Sequence, residues 1–303
     1  MRKIPKMPRR ASMNNLGNVI LEPPPLNKAP GFFGSLRKYK NIMKVSLIER
    51  LAYRGDFLLG TVLRFLPMIS AIFLWKAVYK GAETEVLSNY TYSQVIAYLL
   101  LVHISRMFSS MPGLAAGVAR DIRDGNLKRY LIQPLDFMAY LLAYRGAHKM
   151  AYIATSALPY LGLFTVCSGY FETIPSLATL SLWLLTLFLS FLLGYFFELT
   201  LGMLGFWMLE VSSFLYLVNT LNFFVSGHFF PIDLMEPAGL ATILKMLPFQ
   251  YLAYFPAAVF LDKIPAQQIL PLIGVQILWI VFFALAARIL WRLGLKHYSA
   301  FGG

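Results

Sequence analysis

Charged residues are scarce in this chain of 303 residues, making up 14% of the sequence, whereas hydrophobic residues make up 58%. Soluble domains hold about 25% charged and about 45–50% apolar residues. The surplus of apolar side chains is therefore predicted to face lipid. The net charge of +13 would suit a nucleic-acid-binding protein, but the basic residues cluster outside the apolar runs. We interpret them as determinants of membrane topology and of contact with anionic lipid headgroups, and we expect no nucleic-acid partner.

The sequence motifs of several catalytic classes are also missing. No Gly-Lys pair occurs, so the chain has no P-loop and is not expected to hydrolyse ATP itself. The motifs H-E-x-x-H, C-x-x-C and G-x-S-x-G are absent, and the four histidines are not spaced as metal ligands. A single cysteine, Cys167, excludes an intrachain disulfide. Nothing in the sequence favours a catalytic, cofactor-binding or metal-binding residue.

The N-terminal segment lacks the apolar stretch of a cleavable signal peptide. Residues 1–35 are basic and rich in proline, and we interpret them as a flexible cytoplasmic tail. Residues 36–303 are predicted to form the transmembrane domain. At its start, Leu36–Arg54 mixes basic and apolar residues at helical spacing, which favours a helix lying on the inner membrane surface.

Apolar segments long enough to cross a bilayer, which takes about 20 residues, occur six times. They are Phe57–Val78, Val95–Met111, Met150–Val166, Leu177–Phe197, Phe206–Val225 and Ile269–Ala287. The fold class predicted is therefore an all-α membrane protein with six transmembrane helices. Between the last two spans, Ser226–Asp262 is apolar but interrupted by four prolines. We predict two short re-entrant helices there, whose irregular backbone must be covered by protein or line a cavity.

The distribution of lysine and arginine predicts the orientation of the chain. Of the 27 basic residues, 21 lie in residues 1–56, in the loop 120–149 or from Arg288 onward. The alternate loops hold only Lys80, Lys245 and Lys263. By the positive-inside rule, both termini and the loop 120–149 are cytoplasmic, as expected for an inner-membrane protein with this charge distribution.

Four charged residues in or next to the predicted spans stand out, because each charge is costly in lipid. They are Arg64, Arg106, Glu198 and Glu210, all toward the inner leaflet. One interpretation is a polar cavity or gate open to the cytoplasm. The simpler one is snorkelling arginines with a structural ion pair, formed by Arg106 with Glu198 or Glu210.

The loop Ala119–Leu135 is dense in charge of both signs. Among these charges, Ile122, Leu127, Tyr130 and Leu131 supply apolar contacts. A short amphipathic helix of this composition suits docking to a soluble partner, although an ordinary solvated helix would have the same pattern.

Four segments resemble a known family. They are LAYRGDFLLG (Leu51–Gly60), ARDIRDGNLKRYLIQPLDF (Ala119–Phe137), SGHFFPIDLM (Ser226–Met235) and RLGLKHYSAFGG (Arg292–Gly303). Over roughly Leu36–Gly303, the chain resembles the permease subunits of ABC-2 type exporters, in particular the bacterial ABC-2 efflux group.

The resemblance implies six spans, an interfacial connecting helix and re-entrant helices before the last span. It also implies a dimer with a second permease, identical or divergent, above two ABC ATPase subunits that hold ATP and Mg²⁺. The loop between spans two and three is the coupling helix in this family. The residues so placed in contact with the ATPase are Asp121, Ile122, Arg123, Leu127, Lys128 and Tyr130.

The transport path is expected along spans two and five. Four phenylalanines, Phe223, Phe224, Phe229 and Phe230, are predicted to narrow its outer end. Aromatic residues there suit an amphipathic or lipid-like cargo, but they also suit helix packing. A stand-alone membrane enzyme and a secondary transporter remain the alternative functions.

Overall fold

The computed structural model of the protein describes residues 11–13, 19–21, 32–52, 54–172, 175–208 and 210–298. The chain divides into two compact units, Met1–Asn41 and Ile42–Gly303. Most of the predicted tail lies outside the described residues, but strand β1 (Ala11–Met13) pairs antiparallel with β2 (Val19–Leu21) within it. Helix α1 (Phe32–Ala52) covers most of the segment predicted to lie on the membrane surface.

The remaining elements are helices apart from one short strand pair. In chain order they are α2 (Arg54–Ala82), β3 (Val86–Leu87), β4 (Tyr90–Thr91), α3 (Tyr92–Ser109), α4 (Leu114–Arg123), α5 (Lys128–Leu131), α6 (Phe137–Val166), α7 (Leu177–Met203), α8 (Ser212–Val225), α9 (Leu240–Met246), α10 (Tyr254–Phe260) and α11 (Ala266–His297). Short 3-10 helices cover Ser168–Tyr170, Leu204–Phe206, Ile232–Ala238 and Pro248–Leu252.

Four helical stretches among the described residues are long and apolar enough to cross a membrane. They are Leu59–Ala82, Tyr92–Arg123, Leu177–Phe206 and Ala266–His297. These stretches correspond to predicted spans one, two, four and six. Their outward faces carry large apolar side chains such as Leu66, Phe188 and Leu278, as expected for helices surrounded by lipid rather than by water.

The other two predicted spans differ from this pattern. Met150–Val166 lies within α6, which at 30 residues is about 45 Å long but is not one of the four stretches above. The boundary predicted for Phe206–Val225 is wrong at its start, because α8 begins only at Ser212 and has 14 residues. A helix of that length covers about 21 Å, which is less than the apolar thickness of a bilayer.

Helix α7 lies against α3, α4 and α11, and small residues let the backbones approach closely. A Cβ at Gly194 would lie 1.9 Å from the Ser109 carbonyl oxygen, and one at Gly205 would lie 2.7 Å from the Ala119 Cα. Such small-residue contacts are common between membrane helices, where packing rather than water exclusion drives association. Farther out, the Thr61 and Ser156 hydroxyls join α2 to α6 at 2.7 Å.

The proline-rich segment before the last span folds as short helices, as its sequence predicts. Helices α9 and α10 alternate with two 3-10 helices, and none is long enough to cross. All but one of the residues of α10 are buried, and so is the 3-10 turn of Gln250, Tyr251 and Leu252 before it. Protein therefore covers this irregular backbone, which is the condition for keeping it at membrane depth.

The close approach of α7 to α3 yields a stability prediction. Gly194→Ala should lower the thermal midpoint of the detergent-solubilised protein, because its methyl group would overlap the Ser109 carbonyl and overpacking costs about 1–3 kcal/mol. The matched control is Gly162→Ala in α6, where a Cβ meets nothing within 4 Å and alanine favours the helix. A midpoint at or above that of the control would contradict the contact.

Candidate functional site

The path from α3 into α4 is interrupted at Ser110–Gly113. Pro112 has no amide hydrogen to continue a helix, and Gly113 adopts a left-handed conformation with φ of 72°, which favours glycine. The interruption leaves carbonyls at the end of α3 and amides at the start of α4 without helical partners. The groups that meet them come from α6 and α7.

Two cations of α6 lie at the C-terminal end of α3. The Lys149 Nζ donates to the carbonyls of Met107 and Ser110, and the Arg145 Nη1 donates to the Pro112 carbonyl at 3.0 Å. Because the C-terminus of a helix carries partial negative charge, positive groups stabilise it. In the sequence, Lys149 and Arg145 contribute to the basic loop that predicts the orientation of the chain. No sequence pattern indicates their contact with the end of α3.

One carboxylate of α7 lies at the N-terminal end of α4. The Ala115 backbone amide interacts with the Glu198 carboxylate, which also feels the charges of Arg106 and Arg145. A negative group is favourable there because a helix N-terminus carries partial positive charge. The two halves of the interrupted helix are thus each met by charge of the complementary sign.

A polar cavity of about 340 Å³ opens beside the interruption. Its polar lining consists of Arg106, Ser109, Ser110, Glu198, Asn219 and Asn222. Apolar side chains, among them Leu215 and Phe223 of α8, complete the walls. Its volume is within the range of small-molecule binding sites.

The four charged residues singled out in the sequence do not all lie together in the structure. Arg106 and Glu198 line the same cavity, but among the described residues neither forms an ion pair within 4.0 Å. The predicted structural pair of Arg106 with Glu198 or Glu210 is therefore not seen at bonding distance. The side chain of Arg64 lies outside the described residues.

Glu210 belongs to no helix in the structure. It is exposed in the connection before α8, and its Oε1 accepts from the Ser212 amide at 2.6 Å. Hydrogen bonds from Ser212 hold the pKa of the Glu210 carboxyl below its usual value. The apolar run from Phe206 concealed this connection, because one glutamate does not interrupt a run of otherwise apolar residues.

Asn222 is a site residue that sequence analysis missed. Its side chain is 3% exposed and lines the cavity, and its Oδ1 has no hydrogen-bond partner among the described residues. A buried amide oxygen without a partner is costly. An asparagine within an apolar helix is a signal that could have drawn attention to this position.

Three of the four phenylalanines predicted at the outer end lie together. The ring of Phe229 lies 4.5 Å from that of Phe223 and 5.2 Å from that of Phe224, measured between centroids. His228 packs on Phe223 at 3.9 Å and faces His103 of α3 at 5.7 Å. Phe230 makes no ring contact of this kind with the described residues. Their role as a gate stays a prediction.

Beyond these rings, a partly buried network joins the proline-rich segment before α11 to the hairpin of β3 and β4. The Asp233 carboxylate accepts from the Tyr90 hydroxyl at 2.9 Å and from the Tyr254 hydroxyl at 2.8 Å, and it pairs with Lys245 at 2.7 Å. The residues are up to 164 positions apart, so no local pattern predicts their contact.

The charged segment 119–135 is attached firmly to the helix bundle. Ile122 and Leu127 are buried in an apolar cluster with residues of α6, α7 and α11. Asp121 pairs with Arg129 at 2.9 Å, and the Tyr130 hydroxyl approaches Asp121 at 3.4 Å. Of the six residues predicted to contact an ATPase, Ile122 and Leu127 are buried and anchor the segment to the bundle, whereas Asp121 and Tyr130 are partly exposed. Arg123 and Lys128 are the exposed ones.

An ion pair joins the start of α6 to the end of α11. The Asp136 side chain caps α6 by accepting from the Ala139 amide at 2.9 Å, and Arg288 donates to its Oδ2 at 2.6 Å. Burial acts to raise the pKa of the Asp136 carboxyl, but the hydrogen bonds from Arg288 and Ala139 outweigh it and hold this pKa below its usual value.

The family comparison decides the identity of this fold. A family model described as ABC-2 family transporter protein matches residues 65–302. The chain belongs to the ABC-2 transporter family. The chain is therefore the non-catalytic transmembrane subunit of a transporter, which agrees with the absence of a P-loop from its sequence. Among curated proteins, none matches this ABC-2 chain at a significant level.

The cap of α6 in this ABC-2 protein predicts a pH dependence. Because the pKa of Asp136 is lower in the folded state, the ion pair contributes stability above the unfolded pKa of about 3.9. This contribution is lost as the pH falls through the folded pKa. Asp136→Asn keeps a capping residue and should lower the thermal midpoint slightly at neutral pH, since a half-exposed pair contributes at most about 1 kcal/mol.

The difference between Asp136→Asn and the unmodified protein should shrink as the pH falls below 3.9, the usual aspartate pKa. Asp136→Ala should be less stable than Asp136→Asn by about 1 kcal/mol, because it also removes the cap. A difference between Asp136→Asn and the unmodified protein that stays constant through this pH range would contradict the ion-pair contribution.

Proposed function

We propose that this chain is the permease subunit of an ATP-driven exporter in a bacterial inner membrane, with six spans and both termini in the cytoplasm. Two ABC ATPase subunits would supply the ATP and Mg²⁺, and a second permease, identical or divergent, would complete the complex. An amphipathic or lipid-like molecule is the proposed cargo. Membership of the ABC-2 family supports this assignment.

The observation that carries the proposal is the position of α4. Two residues of its first turn, Ala115 and Ala116, line the polar cavity, and its last residue, Arg123, is exposed in the charged segment. A helix of ten residues spans about 15 Å. One rigid element therefore extends from a surface suited to a soluble partner to a cavity suited to a cargo.

The second permease would pack on α8. This short helix exposes Tyr216, Leu217, Leu221 and Phe224, and it also forms one wall of the cavity. A helix shorter than the bilayer is thick favours oligomerisation, because association relieves the mismatch. A partner on α8 would place the cavity beside the dimer interface, with the cluster of Phe223, Phe224 and Phe229 at its outer end.

The first experiment is a tagged purification in mild detergent with mass spectrometry of the proteins that accompany the chain. A soluble ATPase with a P-loop, in stoichiometric amount, is expected, and a second permease would identify a heterodimer. A clean protein without any ATPase, under conditions that preserve a known exporter complex, would instead favour a stand-alone membrane enzyme or a secondary transporter.

Charge reversal on the exposed side of the segment tests the docking surface. Arg123→Glu combined with Lys128→Glu should reduce the amount of co-purified ATPase roughly tenfold or more, because misplaced charges at an interface cost several kcal/mol. These side chains are exposed, so the variant keeps the buried anchors Ile122 and Leu127, which a deletion would remove.

The matched control for this charge reversal is Lys80→Glu, an exposed lysine at the far end of α2. It should leave the co-purified ATPase unchanged. Equal ATPase recovery from the control and the double variant, at equal expression in the membrane, would show that the segment 119–135 is not the docking surface.

A further inference from the structure

Two opposite charges line one cavity without forming an ion pair. Arg106 of α3 and Glu198 of α7 both line the space beside the interrupted helix, and within the described ranges no ion pair joins them at 4.0 Å or less. Charged side chains at membrane depth are costly unless they are paired. A ligand that bridges the two would satisfy both at once.

Asn222 is a third polar residue on the cavity wall. Its Oδ1 accepts no hydrogen bond from any residue that the structure describes, and the residue is 3% exposed. This oxygen has almost no accessible surface, so a hydroxyl or ammonium group of a ligand would reach it once the side chain turns toward the cavity. It is independent of the two charges and lies on a different helix, α8.

We propose that this cavity binds a zwitterionic head group, with its anionic part at Arg106 and its cationic part at Glu198. The inference names the substrate class of the exporter proposed above and rests on that proposed function. A phosphoethanolamine group has this chemistry, since its phosphate suits a guanidinium and its ammonium suits a carboxylate and an amide oxygen.

The charge balance of the surroundings favours a zwitterion over an ion of one sign. The neighbouring cations Lys149 and Arg145 already donate to the carbonyls of α3, which leaves Arg106 and Glu198 as the two charges on the cavity wall. A simple anion would leave Glu198 unbalanced beside it, and a simple cation would do the same to Arg106. Either arrangement places like charges together in a poorly solvated space.

The rest of the wall suits an apolar tail attached to this head group. Leu215 and Phe223 of α8 line the cavity together with Met111 and Phe197. The volume of about 340 Å³ is at the lower end of small-molecule sites. It therefore accommodates a polar head, while a tail would lie along α8.

The test measures binding to the full-length chain in neutral detergent, without ATP or any ATPase. The probe is radiolabelled lysophosphatidylethanolamine, displaced by an alkyl phosphate, an alkyl ammonium or an alkyl maltoside with the same tail. The unmodified chain should bind the zwitterion on the order of tenfold to a hundredfold more tightly than either singly charged compound, the scale of one hydrogen bond to a charged group. Equal affinities for all of them would overturn the inference.

Two variants assign the charges. Arg106→Gln should weaken the binding of lysophosphatidylethanolamine by about tenfold or more and leave the affinity for the alkyl ammonium unchanged or higher. Glu198→Gln should weaken the binding of lysophosphatidylethanolamine to a similar extent and leave the affinity for the alkyl phosphate unchanged or higher. The control Glu83→Gln removes an exposed carboxylate outside the cavity and should change none of these affinities. Parallel losses for every probe in both variants would indicate a structural role only and would overturn the assignment. The selectivity of the unmodified chain decides the question even where a variant fails to insert.

A further competitor distinguishes the source of the head group. If the cargo is a small soluble zwitterion, free phosphoethanolamine should displace the probe at the same concentration as unlabelled lysophosphatidylethanolamine. If the cargo is a membrane lipid, free phosphoethanolamine should displace the probe only at a much higher concentration.

The proposed function and the binding site can fail separately. A chain that recruits its ATPase but does not discriminate among the probes keeps the exporter assignment and loses the head-group site. A chain that discriminates but recruits no ATPase keeps the site and loses the exporter assignment.

Discussion

A helix that ends within a membrane domain leaves backbone carbonyls and amides that water cannot satisfy, and the interruption at Ser110–Gly113 imposes this constraint on the whole bundle. Lys149 and Arg145 of α6 meet the carbonyl end, and Glu198 of α7 meets the amide end. Because the partners lie on two further helices, the interruption can exist only if α3, α4, α6 and α7 are assembled together. The polar cavity lies beside the same interruption, and Ser110–Gly113 form part of its wall.

The re-entrant segment has the same problem and solves it with hydroxyl groups. The Ser109 and Ser190 hydroxyls donate to the carbonyls of Leu252 and Tyr251, each at 2.6 Å. Tyr98 donates to the Gly227 carbonyl at 2.5 Å. Each donor lies on α3 or α7, so these two helices carry the irregular backbone on one side and the interruption on the other. Ser109 takes part in both, as it also lines the cavity.

Properties that depend on one stretch of sequence could be predicted from it. Four long apolar spans, the short re-entrant helices and the end of span two near Pro112 follow from hydropathy and proline, because lipid imposes a length and a composition on each helix. The start of α8 could not be predicted in this way. There, the chain leaves the helical conformation before Ser212, where its amide donates to the Glu210 carboxylate, although the apolar run continues through this point.

The candidate site depends on contacts between distant residues, and the sequence indicated only its members of unusual chemistry. Arg106 and Glu198 were recognisable because charge is rare in spans. Their placement in one cavity without an ion pair depends on the close approach of α7 at Gly194, which no periodicity reveals. Asn222 escaped notice because a single amide changes hydropathy little, although its burial without a partner is costly.

The contact between α4 and α7 suggests how the two ends of the proposed exporter communicate. At Gly202 and Gly205 this segment approaches Ala115 and Ala119 of α4 closely, and Val118 of α4 packs beside this contact in a cluster with Met203 of α7. Packed helices can move past one another by small sliding shifts. Under the proposed function, an ATPase that pushes the Arg123 end would slide α4 along α7 as a unit. The Ala115 amide would then move relative to Glu198, and the charge balance of the cavity would change at the moment when the cargo must be released.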